Sequence, residues 1–180
     1  SNDSLLAASF SNSPTVLGAA GFSYRTSITF NGLKTSEILL KGTDIFPWLS
    51  AYPYVLASLP EFQTAAKGQA LLSNNPEKGV IRRVALLTAI NGTVTPGLSL
   101  EMMRVAYSVD NIIANVGHHG VEGVNIGDKF IPIQGNGEAW VHYDKPSRER
   151  YISALSIFKG EVPASRVSGK MVLVGLTGLG

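Results

Sequence analysis

Cysteine is the first residue type that this 180-residue sequence lacks. Without it the chain can form no disulfide, no zinc–thiolate site and no thiol nucleophile. Charged residues are also few, at 16% of the chain, and the 15 basic side chains are nearly balanced by 13 acidic ones. A net charge of +2, with the basic residues dispersed along the chain, does not predict nucleic-acid binding.

Long apolar runs are the next feature that is missing. No uninterrupted run approaches the roughly 20 residues that a membrane-spanning helix requires, so we predict no spanning helix within these residues. Apolar residues nevertheless make up 44% of the chain, and the mean hydropathy is +0.15. This composition is rich for a free domain, so we expect a sizeable core and sheet surface that helices or a partner cover.

The closing segment, residues 169–180, carries the strongest strand signal. Residues 171–174 form an unbroken apolar run between glycines, which is typical of a strand buried on both faces. We therefore predict a central strand here and expect Leu173→Asp to unfold the domain, because an isolated buried charge is costly. The glycine-rich end, residues 175–180, has neither the P-loop order nor the dinucleotide-binding order of glycines, which favours a tight turn over phosphate binding.

Local patterns predict the remaining elements. Apolar alternation or continuous apolar residues predict strands at residues 15–20, 24–30, 69–73 and 80–90, and a three-stranded antiparallel meander over residues 121–143. Asparagine–glycine or glycine–aspartate pairs predict tight turns at residues 31–32, 91–92, 127–128 and 136–137. Capping residues and helical spacing predict helices at residues 3–10, 59–66, 95–106 and 153–159, with Asp3, Ser58 and Ser153 as capping residues.

The third of these helices is the most clearly amphipathic. Leu98, Met102 and Val105 share one face at helical spacing, and Glu101 and Arg104 are expected to point elsewhere. Together the elements predict an α/β fold with a mixed sheet, whose central strands are buried. Antiparallel hairpins or a meander lie at its sides, and helices pack on its faces. The length favours a single domain over residues 1–180.

Signals for catalysis are weak. The sequence contains no GxSxG elbow, no HExxH pair and no closely spaced acidic pair. His118 and His119 suggest a metal, but adjacent side chains on an extended segment face opposite ways, and no third ligand is evident. We expect neither a catalytic centre nor a metal or other cofactor.

The order of several segments resembles the CHASE domain of the second type, the sensory extracellular domain associated with cyclases and histidine kinases. The matching segments, in chain order, are Asp3-x-x-Leu6-Ala7, PTVLG, GVIRRVALL, TPGLSLEMMR, IPIQGNGEAWVHY, SALSIFKGEVP and GKMVLVGLTGLG. The likeness is collinear from Asp3 to Gly180, and it rests on the order and spacing of these segments.

The resemblance implies a periplasmic or extracellular input module that feeds an intracellular nucleotide cyclase, histidine kinase or serine/threonine kinase. It implies no chemistry in the domain itself, no particular ligand, and a homodimer in the full-length receptor. Family members usually begin with a further strand and helix, which we expect upstream of Asp3. Downstream of Gly180 we expect apolar segments of roughly 20 residues and a cytoplasmic output domain, with a nucleotide cyclase as the first expectation.

Five side chains are the candidate ligand-binding residues. Arg82 and Arg83 are adjacent on a predicted strand, so one faces each side, and the covered one needs a carboxylate or several carbonyls as partners. One arginine is therefore expected to be paired structurally and the other to be solvated. The alternative is that one of them contacts an anionic ligand or a partner domain. Tyr143, Lys145 and Arg148 follow the meander and could add donors to the same pocket, or form a solvated charged loop.

Two other functions stay open. A small α/β nucleotide-binding protein or enzyme would use the glycine-rich end of the chain. A structural dimerisation module would bind no ligand and would associate in a concentration-dependent way. Stabilisation by ATP, GTP or a dinucleotide would favour the nucleotide-binding protein, and stabilisation by an organic acid or another small extracellular metabolite would favour the sensor.

Overall fold

The computed structural model describes residues 1–25, 27, 33–72 and 79–176. Within these ranges the chain forms four α-helices and twelve strands, and the strands belong to four sheets with no closed barrel. The predicted α/β class, with mixed sheets, is confirmed. The chain divides into two compact units, Ser1–Val141 and His142–Gly180, and each is described by itself. The single domain over residues 1–180 stays a prediction.

All the strands lie in the first unit. The helices are α1 (Asn2–Ser11), α2 (Pro60–Ala65), α3 (Leu98–Ala106) and, in the second unit, α4 (Ala154–Phe158). The strands are β1 (Val16–Phe22), β2 (Ile38–Gly42), β3 (Ala51–Tyr52), β4 (Tyr54–Leu56), β5 (Gly68–Leu71), β6 (Arg83–Ala85), β7 (Leu87–Ile90), β8 (Thr93–Pro96), β9 (Ile112–Gly117), β10 (Gly120–Ile126), β11 (Lys129–Pro132) and β12 (Glu138–Trp140).

The four sheets combine parallel and antiparallel pairs. The largest has the order β11-β10-β9-β2, in which β2 pairs parallel to β9 and the other pairs are antiparallel. A second has the order β4-β1-β5, with β1 parallel to β5, and a third has the order β3-β7-β8, with β3 parallel to β7. In the fourth, β6 pairs antiparallel to β12.

The main core lies between α3 and the three sheets that contain β6, β7 and β9. It contains Leu87 from β7, Leu100 from α3, Ile112 from β9 and Val124 from β10, all essentially inaccessible to solvent. Strand β9 alternates buried and half-buried residues, because one of its faces covers this core. A smaller cluster joins β1, β4, β5 and the end of β7. Burial of this apolar area is the main term that stabilises the first unit.

Elements with strong local signals lie close to their predicted positions. The helices predicted at residues 59–66 and 153–159 are α2 and α4, and β1 and β5 occupy the first and third predicted strands. Strands β7 and β8 form the predicted hairpin, in which Asn91 and Gly92 have φ angles of 46° and 77°. A two-residue turn with positive φ at both positions matches the twist of the flanking strands, which is why this dipeptide predicts it well.

Two of the predicted helix caps are wrong. Ser1 is the N-cap of α1, and its hydroxyl accepts a hydrogen bond from the backbone N–H of Ser4, whereas Asp3 lies inside the first turn. Helix α2 has Leu59 at its N-cap and no side-chain cap, so Ser58 forms no capping box. Proline at the first helical position is sufficient there, because it lacks the N–H that a cap would satisfy.

The long strand predicted at residues 80–90 is two strands with different partners. Strand β6 pairs with β12 and β7 pairs with β3 and β8, and the chain changes sheet at Leu86. The carbonyl of Gly137 accepts hydrogen bonds from the backbone N–H groups of both Leu86 and Leu87 at this point. The predicted meander is therefore correct for β10 and β11 but wrong for its third strand, because β12 pairs with β6 instead of β11.

Helix α3 begins later than predicted and buries a different face. Thr95 and Pro96 belong to β8, and the helix starts at Leu98. Its buried residues are Leu100 and Glu101, so the prediction that Glu101 points away from the core is wrong. Helix α3 packs against both β1 and β5. The contact with β5 covers the polar side of the helix, which the spacing had assigned to solvent.

The predicted central strand at residues 171–174 is also wrong. These residues form no strand, and the side chain of Leu173 is 73% exposed. An apolar run supplies burial energy only if other groups cover it, and a strand forms only where a neighbouring strand accepts its backbone hydrogen bonds. The described part of the second unit contains no strand to do so. The expectation that Leu173→Asp unfolds the domain therefore loses its basis.

Two predictions lie wholly or largely outside the described residues. They are the turn at Asn31 and Gly32, and the glycine-rich end of residues 175–180, of which the structure describes residues 175 and 176. Most of the strand predicted at residues 24–30 falls there too. The neighbours of β1 within the described ranges are β4 and β5.

Candidate functional site

The candidate site is the edge of the first unit where β6 pairs with β12. Arg83 lies directly opposite Trp140 in the register, and its guanidinium stacks 5.5 Å from the centroid of the Trp140 ring. The Nη1 atom of Arg83 lies 3.0 Å from Oε2 of Glu138, which precedes Trp140 by two residues in β12. The sequence expectation that one of the two arginines is paired with a carboxylate is thus met by Arg83.

This ion pair is only partly buried. The side chain of Arg83 is 32% exposed and that of Glu138 is 15% exposed. The Nδ2 group of Asn136 donates a second hydrogen bond to the same Glu138 oxygen, over 2.8 Å. The carboxylate is therefore held from two sides, while one face of the guanidinium lies on an exposed indole ring. About a third of the Arg83 side chain is open to solvent beside this pair.

Arg82 precedes β6 and is exposed. Its backbone carbonyl accepts a hydrogen bond from the N–H of Val141 over 2.8 Å, which extends the contact between the two strands by one residue. The two arginines therefore share one sheet edge but differ in environment. The sequence predicted their adjacency on a strand, but it gave no signal for Trp140 and Glu138, because the pairing of β6 with β12 joins segments about fifty residues apart.

A cleft of about 440 Å³ lies at the ends of β1 and β3, lined by residues 21–24 and 50–52. The rings of Phe22 and Tyr24 meet edge to face on one side, with their centroids 5.5 Å apart. Burial raises the pKa of the Tyr52 phenol above its usual value, and the negative charge of Glu138 adds to this shift. Tyr52 thus links the aromatic cleft electrostatically to the Arg83–Glu138 pair, and the phenol stays protonated at neutral pH.

The other three candidate residues, Tyr143, Lys145 and Arg148, belong to the second unit and are exposed. In this segment Arg150 pairs with Asp144, and the hydrogen bond from Arg150 holds the pKa of the Asp144 carboxyl below its usual value, with a smaller contribution from the backbone N–H of Lys145. Because these residues and the two arginines lie in different units, a pocket shared by all five stays a prediction.

A second and more buried ion pair was missed by the sequence analysis. Glu101 is 0% exposed, and its carboxylate accepts hydrogen bonds from Nε and Nη2 of Arg104, over 2.9 and 2.8 Å. The hydroxyl of Ser36 donates a third hydrogen bond to Glu101, over 2.7 Å. The spacing of three residues on one helix could have indicated the pair, but it gives no indication of burial.

Arg104 also lines a second cleft, of about 500 Å³, between residues 11–14 and 104–110. Its guanidinium donates to the backbone carbonyls of Lys67, Val109 and Asp110 as well as to Glu101. These contacts match the five N–H donors that an arginine has. Arg104 therefore holds the C-terminal end of α3 to the start of β5, and its five donors are used inside the fold.

Neither a cluster of metal-ligating side chains nor a membrane-spanning helix is found in the described ranges. Within them, no three His, Asp or Glu side chains come close enough together to hold a metal ion. His118 and His119 are exposed in the turn between β9 and β10. No helix in the same ranges has both the length and the apolar character needed to cross a bilayer.

Comparison with protein-family models identifies the family to which this chain belongs. The model of the CHASE2 domain matches residues 1–180, the whole chain, and the chain therefore belongs to the CHASE2 domain family. This is a family of sensory domains in signalling receptors. Searches of curated proteins and of solved structures find no match.

Proposed function

We propose that this chain is the extracytoplasmic signal-input domain of a bacterial membrane receptor and is not catalytic itself. The observation that carries this proposal is the match to the CHASE2 family over residues 1–180. The output domain of the receptor is a nucleotide cyclase, with a histidine kinase or a serine/threonine kinase as the alternatives. The domain acts on the outer side of the cytoplasmic membrane, where its signal arrives.

The signal that the geometry supports best is a small organic anion bound at Arg82 and Arg83. Arg83 keeps about a third of its side chain exposed, and the indole of Trp140 beside it offers an apolar surface to the carbon skeleton of such an anion. Binding would exchange part of the Arg83–Glu138 contact for a contact with the ligand. A carboxylate ligand suits the planar donor pattern of a guanidinium.

A thermal-shift screen tests the sensor function against the nucleotide-binding alternative. The chain is melted with a panel of mono- and dicarboxylates, and separately with ATP, GTP and NAD. The sensor proposal expects at least one carboxylate to raise Tm in a saturable way, because a ligand that binds only the folded state stabilises it. Saturable stabilisation by a nucleotide alone, with none by a carboxylate, would favour a nucleotide-binding protein that uses the glycine-rich end.

The receptor context has its own test, which needs no ligand. Reading the gene on both sides of the segment that encodes these residues should reveal apolar segments of roughly 20 codons and a cytoplasmic cyclase or kinase domain. A reading frame that encodes no membrane segment on either side would contradict the receptor. This outcome is independent of the ligand screen, so the two parts of the proposal can fail separately.

A further inference from the structure

Strand β2 forms one edge of the largest sheet, and it is unusually exposed for an apolar strand. Within the described residues β9 is its only partner, and it pairs in parallel with Ile38 opposite Ile112 and Leu40 opposite Ala114. Ile112 and Ala114 are fully buried, yet Leu40 on the same face is 47% exposed. Leu39 on the opposite face is 41% exposed. Ile38 still packs against the main core, but Leu39 and Leu40 leave both faces of β2 partly exposed.

The outer edge of β2 has a defined set of backbone groups. The N–H of Thr43 donates to the carbonyl of Val116 over 3.1 Å. In a parallel pair the residues that bond to the neighbour alternate along the strand, so Leu39 and Lys41 also direct their backbone groups to β9. Ile38 and Leu40 therefore direct theirs outward, away from the sheet.

The side chains around these two residues are complementary to themselves. The segment reads Glu37-Ile38-Leu39-Leu40-Lys41, with an exposed acid at one end and an exposed base at the other. When two copies run antiparallel with Leu39 opposite Leu39, Glu37 of each copy lies opposite Lys41 of the other. The same register places Ile38 opposite Leu40, and these are the residues whose backbone groups point outward. Hydrogen bonding, apolar contact and charge therefore select the same register.

We propose that β2 is a self-association surface, through which two copies of this chain pair antiparallel about a two-fold axis at Leu39. The four-stranded sheet of one copy then joins that of the other, and the two form one continuous sheet across the axis. Such an interface is isologous, because each contact occurs twice. Lys41 opposes pairing with an arbitrary apolar strand, because it places a charge at the sheet edge, and Glu37 of a second copy in this register supplies the opposite charge. The pairing does not depend on which signal the chain senses.

The absence of cysteine from the sequence makes a direct test of this register possible. Residues directly opposite in an antiparallel pair have Cβ atoms about 4.5–5.5 Å apart, and diagonal neighbours are about 7–8 Å apart. Mild oxidation should therefore link Leu39→Cys into a disulfide dimer, at a rate at least about tenfold above that of the matched control Leu40→Cys. Equal rates for the two variants, or faster linking of Leu40→Cys, would overturn the proposed register.

Charge reversal provides a second test without cross-linking. In sedimentation velocity, the unmodified chain should dimerise as its concentration rises, and Lys41→Glu should weaken the dimer by about tenfold, because two attractive contacts become repulsive. Glu37→Lys should weaken it similarly, and the double variant Glu37→Lys/Lys41→Glu should restore it. Both positions are exposed, so the variants should fold normally. A chain that stays monomeric up to millimolar concentration, or a double variant that is not restored, would overturn the proposal.

Discussion

The described part of the first unit contains two glutamate–arginine pairs that have the same chemistry but differ in environment. The Glu101–Arg104 pair lies on one helix, with exposed side-chain fractions of 0% and 11%, and the Arg83–Glu138 pair joins two strands, with 32% and 15%. The buried pair is completed by Ser36 and three backbone carbonyls, so all its polar atoms are used inside the fold. The partly exposed pair has solvent and an indole ring beside it. This difference indicates a structural role for the first pair, and it supports the proposal of a ligand contact at the second.

Removal of one partner from the buried pair should have the largest effect. Arg104→Met leaves the Glu101 carboxylate buried without its counter-ion, and it leaves the carbonyls of Lys67 and Val109 without their donor. Such a change typically costs about 3–5 kcal/mol of the free energy of unfolding. Urea denaturation measures it, with Arg83→Met as the matched control. A loss below about 1 kcal/mol for Arg104→Met would show that the pair does not hold the fold.

A smaller but clear effect should follow from crowding the Glu101 carboxylate. A Cβ atom added at Gly68 would lie 2.2 Å from Oε1 of Glu101. Arg104 and Ser36 hold the carboxylate of Glu101 in place through hydrogen bonds to its two oxygens. Gly68→Ala should therefore cost about 1–3 kcal/mol, the usual range for overpacking a well-packed site. The control is Gly18→Ala, where the nearest atom, at 2.4 Å, is the tip of the exposed Leu72 side chain and can move. Equal losses for the two variants would contradict a rigid carboxylate.

Removal of the arginine from the Arg83–Glu138 pair should change the free energy of unfolding little. Arg83→Gln removes a contact that solvent partly screens, and such pairs are typically worth about 0–1 kcal/mol. The free energy of unfolding from urea denaturation should therefore change by less than about 1 kcal/mol. A loss as large as that of Arg104→Met would erase the contrast between the two pairs and make Arg83 a structural residue.

The smallest effect concerns the pH dependence that Tyr52 confers. Because burial and the nearby Glu138 charge raise the pKa of this phenol in the folded state, the folded chain holds the proton more tightly than the unfolded chain. Its contribution to stability is complete below the ordinary tyrosine pKa of about 10 and is lost as pH rises through the folded-state value. Tyr52→Phe should leave stability near pH 7 almost unchanged and reduce the loss above about pH 10. Tyr24→Phe, at an exposed tyrosine of the same cleft, is the control, and an identical alkaline profile for Tyr52→Phe and the unmodified chain would contradict the shift.

The elements that the sequence predicted well are those that local chemistry specifies. The Asn91-Gly92 turn fixes the β7–β8 hairpin through two positive φ angles, and Pro60 fixes the start of α2. Burial of Glu101 could not be predicted in this way. Its partner Arg104 also donates to the backbone carbonyls of Val109 and Lys67, and Lys67 lies 37 residues from Arg104 in the sequence. Residues 171–174 show the opposite error. An apolar run was sufficient to predict a strand, but no described neighbour exists to pair with it.

The candidate site divides along the same line. Arg82 and Arg83 were found from their adjacency, and pairing of one of them followed from the cost of burying a charge. The partners of Arg83, Glu138 and Trp140, were missed because the predicted meander assumed that strands consecutive in sequence pair with each other. Membership of the CHASE2 family was predicted from the order of several segments, which is information spread over the whole chain, and the family model confirms it.

Arg104 is expected to have a structural role and Arg83 to contact the signal. The most direct test of this difference is ligand-induced stabilisation in variants of the Arg83–Glu138 pair. The carboxylate that raises Tm most in the unmodified chain is titrated against that chain, Arg83→Gln and the exposed control Lys34→Gln. We expect Arg83→Gln to fold normally and to weaken the apparent Kd by at least about tenfold, while Lys34→Gln leaves it unchanged. An unchanged Kd in Arg83→Gln, or no stabilisation of the unmodified chain by any carboxylate at millimolar concentration, would contradict a signal read at this ion pair.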